Sequence, residues 1–213
     1  MIGEALRDKL LKRDNPNLTF VMVDATEKDL VDVFPKAIRL DPFYPTYEVE
    51  GLGDITLASK QTGNKITLIE FEGATIEDEL ARKDISVNAI AMDMNTGKLV
   101  DPFGGYKDIE RQLIRHVNQV YNPLILYKVA RYSAQLGFGV APETLSLCSS
   151  LTKSQLLEIP IELVREEYDR AMKGLFSDYF FLVLIGAGHL HVHFEECLCE
   201  GTPVRFREKS SIS

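Results

Sequence analysis

Residues 79–105 read Glu-Leu-Ala-Arg-Lys-Asp-Ile-Ser-Val-Asn-Ala-Ile-Ala-Met-Asp-Met-Asn-Thr-Gly-Lys-Leu-Val-Asp-Pro-Phe-Gly-Gly. Two basic residues and an acid, Arg82, Lys83 and Asp84, stand together, with Asn88 four positions beyond the acid. Residues 85–92 place apolar side chains on one face at helical spacing. Asp101-Pro-Phe-Gly-Gly then forms a loop before a helix expected over 107–116. This stretch decides the reading of the whole chain.

Upstream, residues 3–13 read as a short amphipathic helix, with Leu6, Leu10 and Leu11 on one face and Arg7, Lys9, Lys12 and Arg13 elsewhere. Residues 18–23 are apolar and β-branched, suited to a buried strand, and Thr26 suits the N-cap of a helix over 28–33. Alternation around Gly51 and Gly53, and the run 65–71 after the Gly63-Asn64 turn, add two or three strands. Downstream, residues 123–136, 142–151, 161–173 and 178–185 repeat apolar residues at three- and four-residue spacing between glycines. No strand is expected among them. The expectation is an α/β head with a mixed sheet and helices over residues 1–117, followed by an all-α neck over 118–213.

The chain has 213 residues, 45% of them hydrophobic, enough for a packed core. No apolar run is long enough to span a membrane, and the N-terminus lacks a signal-peptide pattern, so a cytoplasmic protein without membrane association is expected. Three cysteines fit a reducing compartment. A net charge of -8 argues against generic nucleic-acid affinity, and Lys9, Lys12 and Arg13, like Arg205, Arg207 and Lys209, read more readily as solvated faces than as phosphate-binding patches.

From Gly3 to about residue 196 the sequence resembles the head and neck of the CCA-adding tRNA nucleotidyltransferases and the related bacterial poly(A) polymerases. The resemblance implies transfer of CTP or ATP to an RNA 3′ end, that of tRNA in the CCA-adding members, with Mg²⁺ as cofactor. The Gly-Gly-x-x-Arg-Asp turn of the family corresponds to Gly3, Glu4, Arg7 and Asp8. Its second glycine is therefore a carboxylate, which either repels a triphosphate or simply favours the helix N-terminus. The paired metal-binding aspartates correspond to Asn17 and Thr19, neither of them a carboxylate, and neutral oxygens attract hard cations far less. Asp54 takes the place of the third carboxylate, a weak metal ligand on its own; an alternative register puts Thr67 there.

Arg82, Lys83, Asp84 and Asn88 match the family's Arg-Arg-Asp-x-x-x-Asn, which implies contacts to triphosphate and ribose; as plain structure, Asp84 and Asn88 would cap and brace a helix. The Asp101 loop is complete and implies a hinge coupled to base selection, or merely a tight turn. The base-reading Glu-Asp-x-x-Arg corresponds to Tyr121-Asn-Pro-Leu-Ile, so Asn122 and Ile125 replace the charged template. Lys128 replaces an arginine, and Arg131 keeps the family's appearance. His189, His191 and His193 with Cys197 and Cys199 suit a zinc site only on an extended strand, whereas the resemblance implies a neck helix. Three functions stay open: a binding scaffold with impaired catalysis, an active CCA- or poly(A)-adding enzyme, and a noncatalytic subunit with a protein partner.

Overall fold

The computed structural model describes residues 1–42, 44–61, 69–70, 73–117 and 122–194. Helix α1 (Gly3–Leu10), strand β1 (Thr19–Met22) and helix α2 (Glu27–Val33) are followed by β2 (Ile38–Arg39), β3 (Thr46–Val49), β4 (Gly53–Leu57), β5 (Lys60–Gln61) and β6 (Ile69–Glu70). Strands β1 to β4 form one mixed sheet in the order β1-β4-β3-β2, in which β1 runs parallel to β4 and the other pairs are antiparallel.

Strand alternation assigns the faces of this sheet. Tyr47, Ile55 and Leu57 are buried against Leu30 of α2. Asp54 and Glu48, each adjacent in sequence to one of those core residues, stand on the opposite face. The start of α2 is fixed by a capping box: the Thr26 hydroxyl accepts the Asp29 N–H, and the Asp29 carboxylate accepts the Thr26 N–H. The approach of β4 to β1 depends on Gly53, whose φ is +118° and where a Cβ would lie 2.3 Å from the Leu18 carbonyl oxygen. Without that Cβ, the Asp54 N–H reaches the same oxygen at 2.8 Å.

The chain continues through α3 (Ile76–Ala81), a 3₁₀ turn at Ser86–Asn88, β7 (Ala91–Met92), β8 (Leu99–Val100), α4 (Gly105–Arg111) and β9 (Leu113–Ile114). The remaining elements are α5 (Ile125–Leu136), β10 (Gly139–Val140), α6 (Pro142–Ser149), α7 (Lys153–Leu157), α8 (Ile161–Met172), α9 (Asp178–Gly186) and α10 (Leu190–His193). Helix α5 is the axis of the helical part and packs against both α8 and α9. One core joins Ala5 and Leu6 of α1, Ile85 and Val87, and Ile114 to Val129, Ala130, Phe180 and Leu184. The segment around residue 117 is thus flanked on both sides by contributors to a single apolar interior.

Several sequence expectations need correction. Residues 85–92 are not a helix, because their backbone bonds go elsewhere: the Ser86 N–H donates to Arg115 O, the Met92 N–H to Met1 O, and Ala91 bridges Ile2. Ile85, Val87, Ala89, Ile90 and Ala91 are all buried, so the apolar spacing marks a segment enclosed from every side. The helix expected to reach residue 116 stops at Arg111, where Gln112 turns left-handed at φ 54°, and β9 then pairs in parallel with β10, which lies in the part expected to be all-helical. Helix α1 ends at Leu10 rather than Arg13, with Lys12 left-handed at φ 55°. Helix α7 was not expected, although Thr152 and Gln155 form a capping box at its start. Of the run 65–71, only Ile69–Glu70 is among the described residues; Gly63, Asn64 and Thr67 lie outside them.

Candidate nucleotide site

Helix α1 begins at Gly3 in the left-handed region, φ +68°, and its first turn has no side-chain cap at Ile2. One turn on, the buried Arg7 reaches in two directions. Its Nε donates to Asp8 Oδ1 at 2.8 Å, and its Nη1 donates to Asn88 Oδ1 at 2.9 Å, 81 positions away. Asn15 Nδ2 donates to the other Asp8 oxygen at 2.8 Å, and Asn15 Oδ1 accepts the Asn17 N–H at 3.0 Å. This chain of polar contacts ties the end of the 3₁₀ turn, through α1, to the residues just ahead of β1.

Asp84 and Asn88 therefore do not brace a helix of their own. Asp84 receives Lys128 Nζ of α5 at 2.9 and 3.0 Å, and its carbonyl lies 2.9 Å from His116 Nδ1. Three residues along α5, Arg131 pairs through Nε with Glu167 of α8, donates Nη1 to Gln135 at 3.0 Å and lies 3.8 Å over the Tyr132 ring. Burial opposes its charge, yet Tyr132 and Glu167 together hold its pKa above the ordinary value. The Tyr132 hydroxyl is pushed up by burial, with Arg131 opposing and Asp84 and Glu4 reinforcing. Arg7, Asp8 and Asn88 thus form one linked polar set between α1 and the 3₁₀ turn, while Asp84 pairs with Lys128 of α5 three residues before Arg131.

Other predicted residues are engaged elsewhere. Arg82 and Lys83 both bind Glu79, which is 2% exposed, at 2.8 and 2.9 Å, and Ser59 donates to the same carboxylate. Arg82 also lies 4.7 Å over the Tyr44 ring. Asp101 accepts the Gly105 and Tyr106 N–H groups at 2.7 and 2.9 Å, so its carboxylate caps α4. Asn122 accepts the Leu124 N–H at 3.0 Å, and Ile125 is buried in the core. Ile125 has no hydrogen-bonding group for a base. The histidines lie at the helix α10, not on a strand; His193 Nδ1 meets the Tyr127 hydroxyl at 2.5 Å, while Cys197 and Cys199 are outside the described residues.

The metal positions sit on the open sheet face. Thr19 pairs directly with Asp54 across β1 and β4, and Asp54 pairs with Glu48 across β4 and β3. Directly paired residues share a face. Glu48 was missed in the sequence, although the alternation of 47–50 around the buried Tyr47 signals it. Asp54 and Glu48, though not Thr19, line a groove of about 670 Å³ that also includes Asn17, Lys36, Glu50 and Gly53. The donors do not fit a Mg²⁺ pair: Asn17 and Thr19 offer neutral oxygens, and no three acidic, histidine or cysteine side chains among the described residues are grouped to hold an ion.

A mixed sheet with one open acidic face, set against a helix end bearing buried guanidiniums and carried on a helical neck, defines a nucleotidyltransferase head and neck. Residues 48–115 match the poly A polymerase head domain. The chain is 31% identical over 206 residues to the multifunctional CCA protein of Mannheimia succiniciproducens, covering 92% of this chain and 49% of that protein. It is 33% identical over 206 residues to the CCA-adding enzyme of Alteromonas mediterranea, covering 92% and 52%. The Bacillus stearothermophilus CCA-adding enzyme, solved in complex with CTP, superposes with a TM-score of 0.73 at 27% identity, covering 86% of this chain and 46% of that one. The chain belongs to the family of CCA-adding enzymes and poly(A) polymerases, and it spans about half the length of the curated relatives it matches.

Proposed function

We propose that the chain is a nucleotidyltransferase-family scaffold of RNA 3′-end processing in which catalysis is impaired and the nucleotide- or RNA-binding geometry of head and neck is kept. The observation that carries this is the Thr19–Asp54 pair: the sheet edge brings the two positions side by side, but one is a hydroxyl and its neighbour Asn17 an amide. The retained part is the Arg7–Asp8–Asn88 link, together with Lys128 and Arg131 of α5. The ligands fitting this reading are CTP or ATP and the 3′ end of tRNA, and the setting is the cytoplasm. A second reading, an active enzyme with a substituted metal site, is favoured by Glu48 standing opposite Asp54.

The double variant Asn17→Asp/Thr19→Asp tests the metal half of the proposal. Mn²⁺ affinity, read by isothermal titration, should rise at least tenfold over wild type, while any nucleotide addition stays unselective because Ile125 is buried. An unchanged affinity, or strict CTP preference in the variant, contradicts the reading.

A further inference from the structure

Glu4 lies in the first turn of α1, and its Oε1 is 3.8 Å from Arg7 Nη1 and 4.0 Å from Arg131 Nη1. The two arginine side chains are 6% exposed, and that of Glu4 is 51% exposed. A carboxylate with one side in water thus faces two guanidiniums held rigidly from behind, Arg7 by Asp8 and Asn88, Arg131 by Glu167 and Gln135. The same helix end has no side-chain cap at Ile2, so the first-turn N–H groups add positive potential there.

We propose that Glu4 is a built-in anion occupying a phosphate position: its carboxylate bridges Arg7 and Arg131 at the start of α1, and a phosphate-bearing ligand must displace it to bind. The charge balance supports this. Arg7, Lys128 and Arg131 supply three cations, whereas Asp8, Asp84, Glu167 and Glu4 supply four carboxylates. With Glu4 present the region carries a net negative charge and repels polyanions; without it the charges balance and the Nη1 atoms of Arg7 and Arg131 lose their shared acidic neighbour. The inference rests on the retained-scaffold reading and names what regulates that site: entry of a triphosphate is disfavoured, while an uncharged nucleoside is unaffected.

The test is calorimetric titration of ATP and of adenosine into the full chain and its Glu4→Gln and Glu4→Gly variants, with EDTA present and folding checked by circular dichroism. Both variants should bind ATP at least tenfold more tightly than wild type, with adenosine affinity unchanged and the gain shrinking as salt rises. ATP affinity equal within threefold in all three proteins overturns the inference and leaves the scaffold reading standing. A parallel gain for ATP and adenosine also overturns it, since the effect would then not be charge. Folded proteins that bind neither ligand overturn both.

Discussion

Replacing Arg131 by Met removes the guanidinium that links α5 to α8. Arg131 is 5% exposed and its partner Glu167 6%, so the small value of a surface ion pair does not apply. The substitution leaves the Glu167 carboxylate buried without its partner, which costs about 3–5 kcal/mol. For a chain of this length each kcal/mol moves the melting temperature by roughly 2–4 °C, so a fall of about 6–20 °C is expected. Replacing Glu167 by Met as well removes the orphaned charge. The double variant should recover at least half of the loss, since a buried pair is often exchangeable for apolar side chains of similar volume. Thermal and urea unfolding of wild type, both single variants and the double variant measure the cycle. A loss below about 1 kcal/mol for Arg131→Met, or a double variant whose loss is the sum of the two singles, would refute the reasoning.

Gly53→Ala should be among the most damaging single changes in the head, costing about 3 kcal/mol or more, because the added Cβ meets the Leu18 carbonyl and φ is +118°. Chemical denaturation reads the cost, and a loss under about 0.5 kcal/mol, the usual limit for a harmless surface change, counts against the β1–β4 geometry. His193 gives a pH dependence. Desolvation holds its pKa below the ordinary 6.5, so the unfolded chain takes up the proton more readily. The stability contributed by neutral His193 is present above pH 6.5 and is lost as pH falls through the depressed folded value. His193 Nδ1 lies 2.5 Å from the Tyr127 hydroxyl oxygen. His193→Phe should flatten the decline in melting temperature between pH 7 and 5, and an unchanged slope contradicts this.

The helical part was legible in the sequence because α8 and α9 each bury one side against a common core at three- and four-residue spacing, although α5 between them is buried at nearly every position. The open sheet was legible from alternation for the same reason. What failed was the enclosed stretch after Asp84, where burial on every side erases the periodic signal and backbone bonds to Met1 and Arg115 replace those of a helix. Among the named site residues, Arg7, Asp8 and Asn88 meet, as do Asp84 and Lys128, whereas Arg82, Lys83 and Arg131 are held by partners that were not named. Glu79 draws Arg82 and Lys83 to itself, and Glu167 holds Arg131 from 36 positions away. Spacing signals the first set, since Glu79 stands three and four positions before Arg82 and Lys83, but it says nothing about Arg131 and Glu167, which meet only once α5 and α8 are packed.

The central claim, that the family scaffold is retained while transfer chemistry is impaired, is tested most directly by incorporation of labelled CTP and ATP into tRNA lacking its 3′ CCA. The reaction is run with Mg²⁺ and then Mn²⁺, beside the Alteromonas mediterranea CCA-adding enzyme as a control for the substrate. The account predicts no incorporation above background in a tube where the control is active. Incorporation that is abolished by Asp54→Ala would contradict it and establish a working metal site built around Asp54.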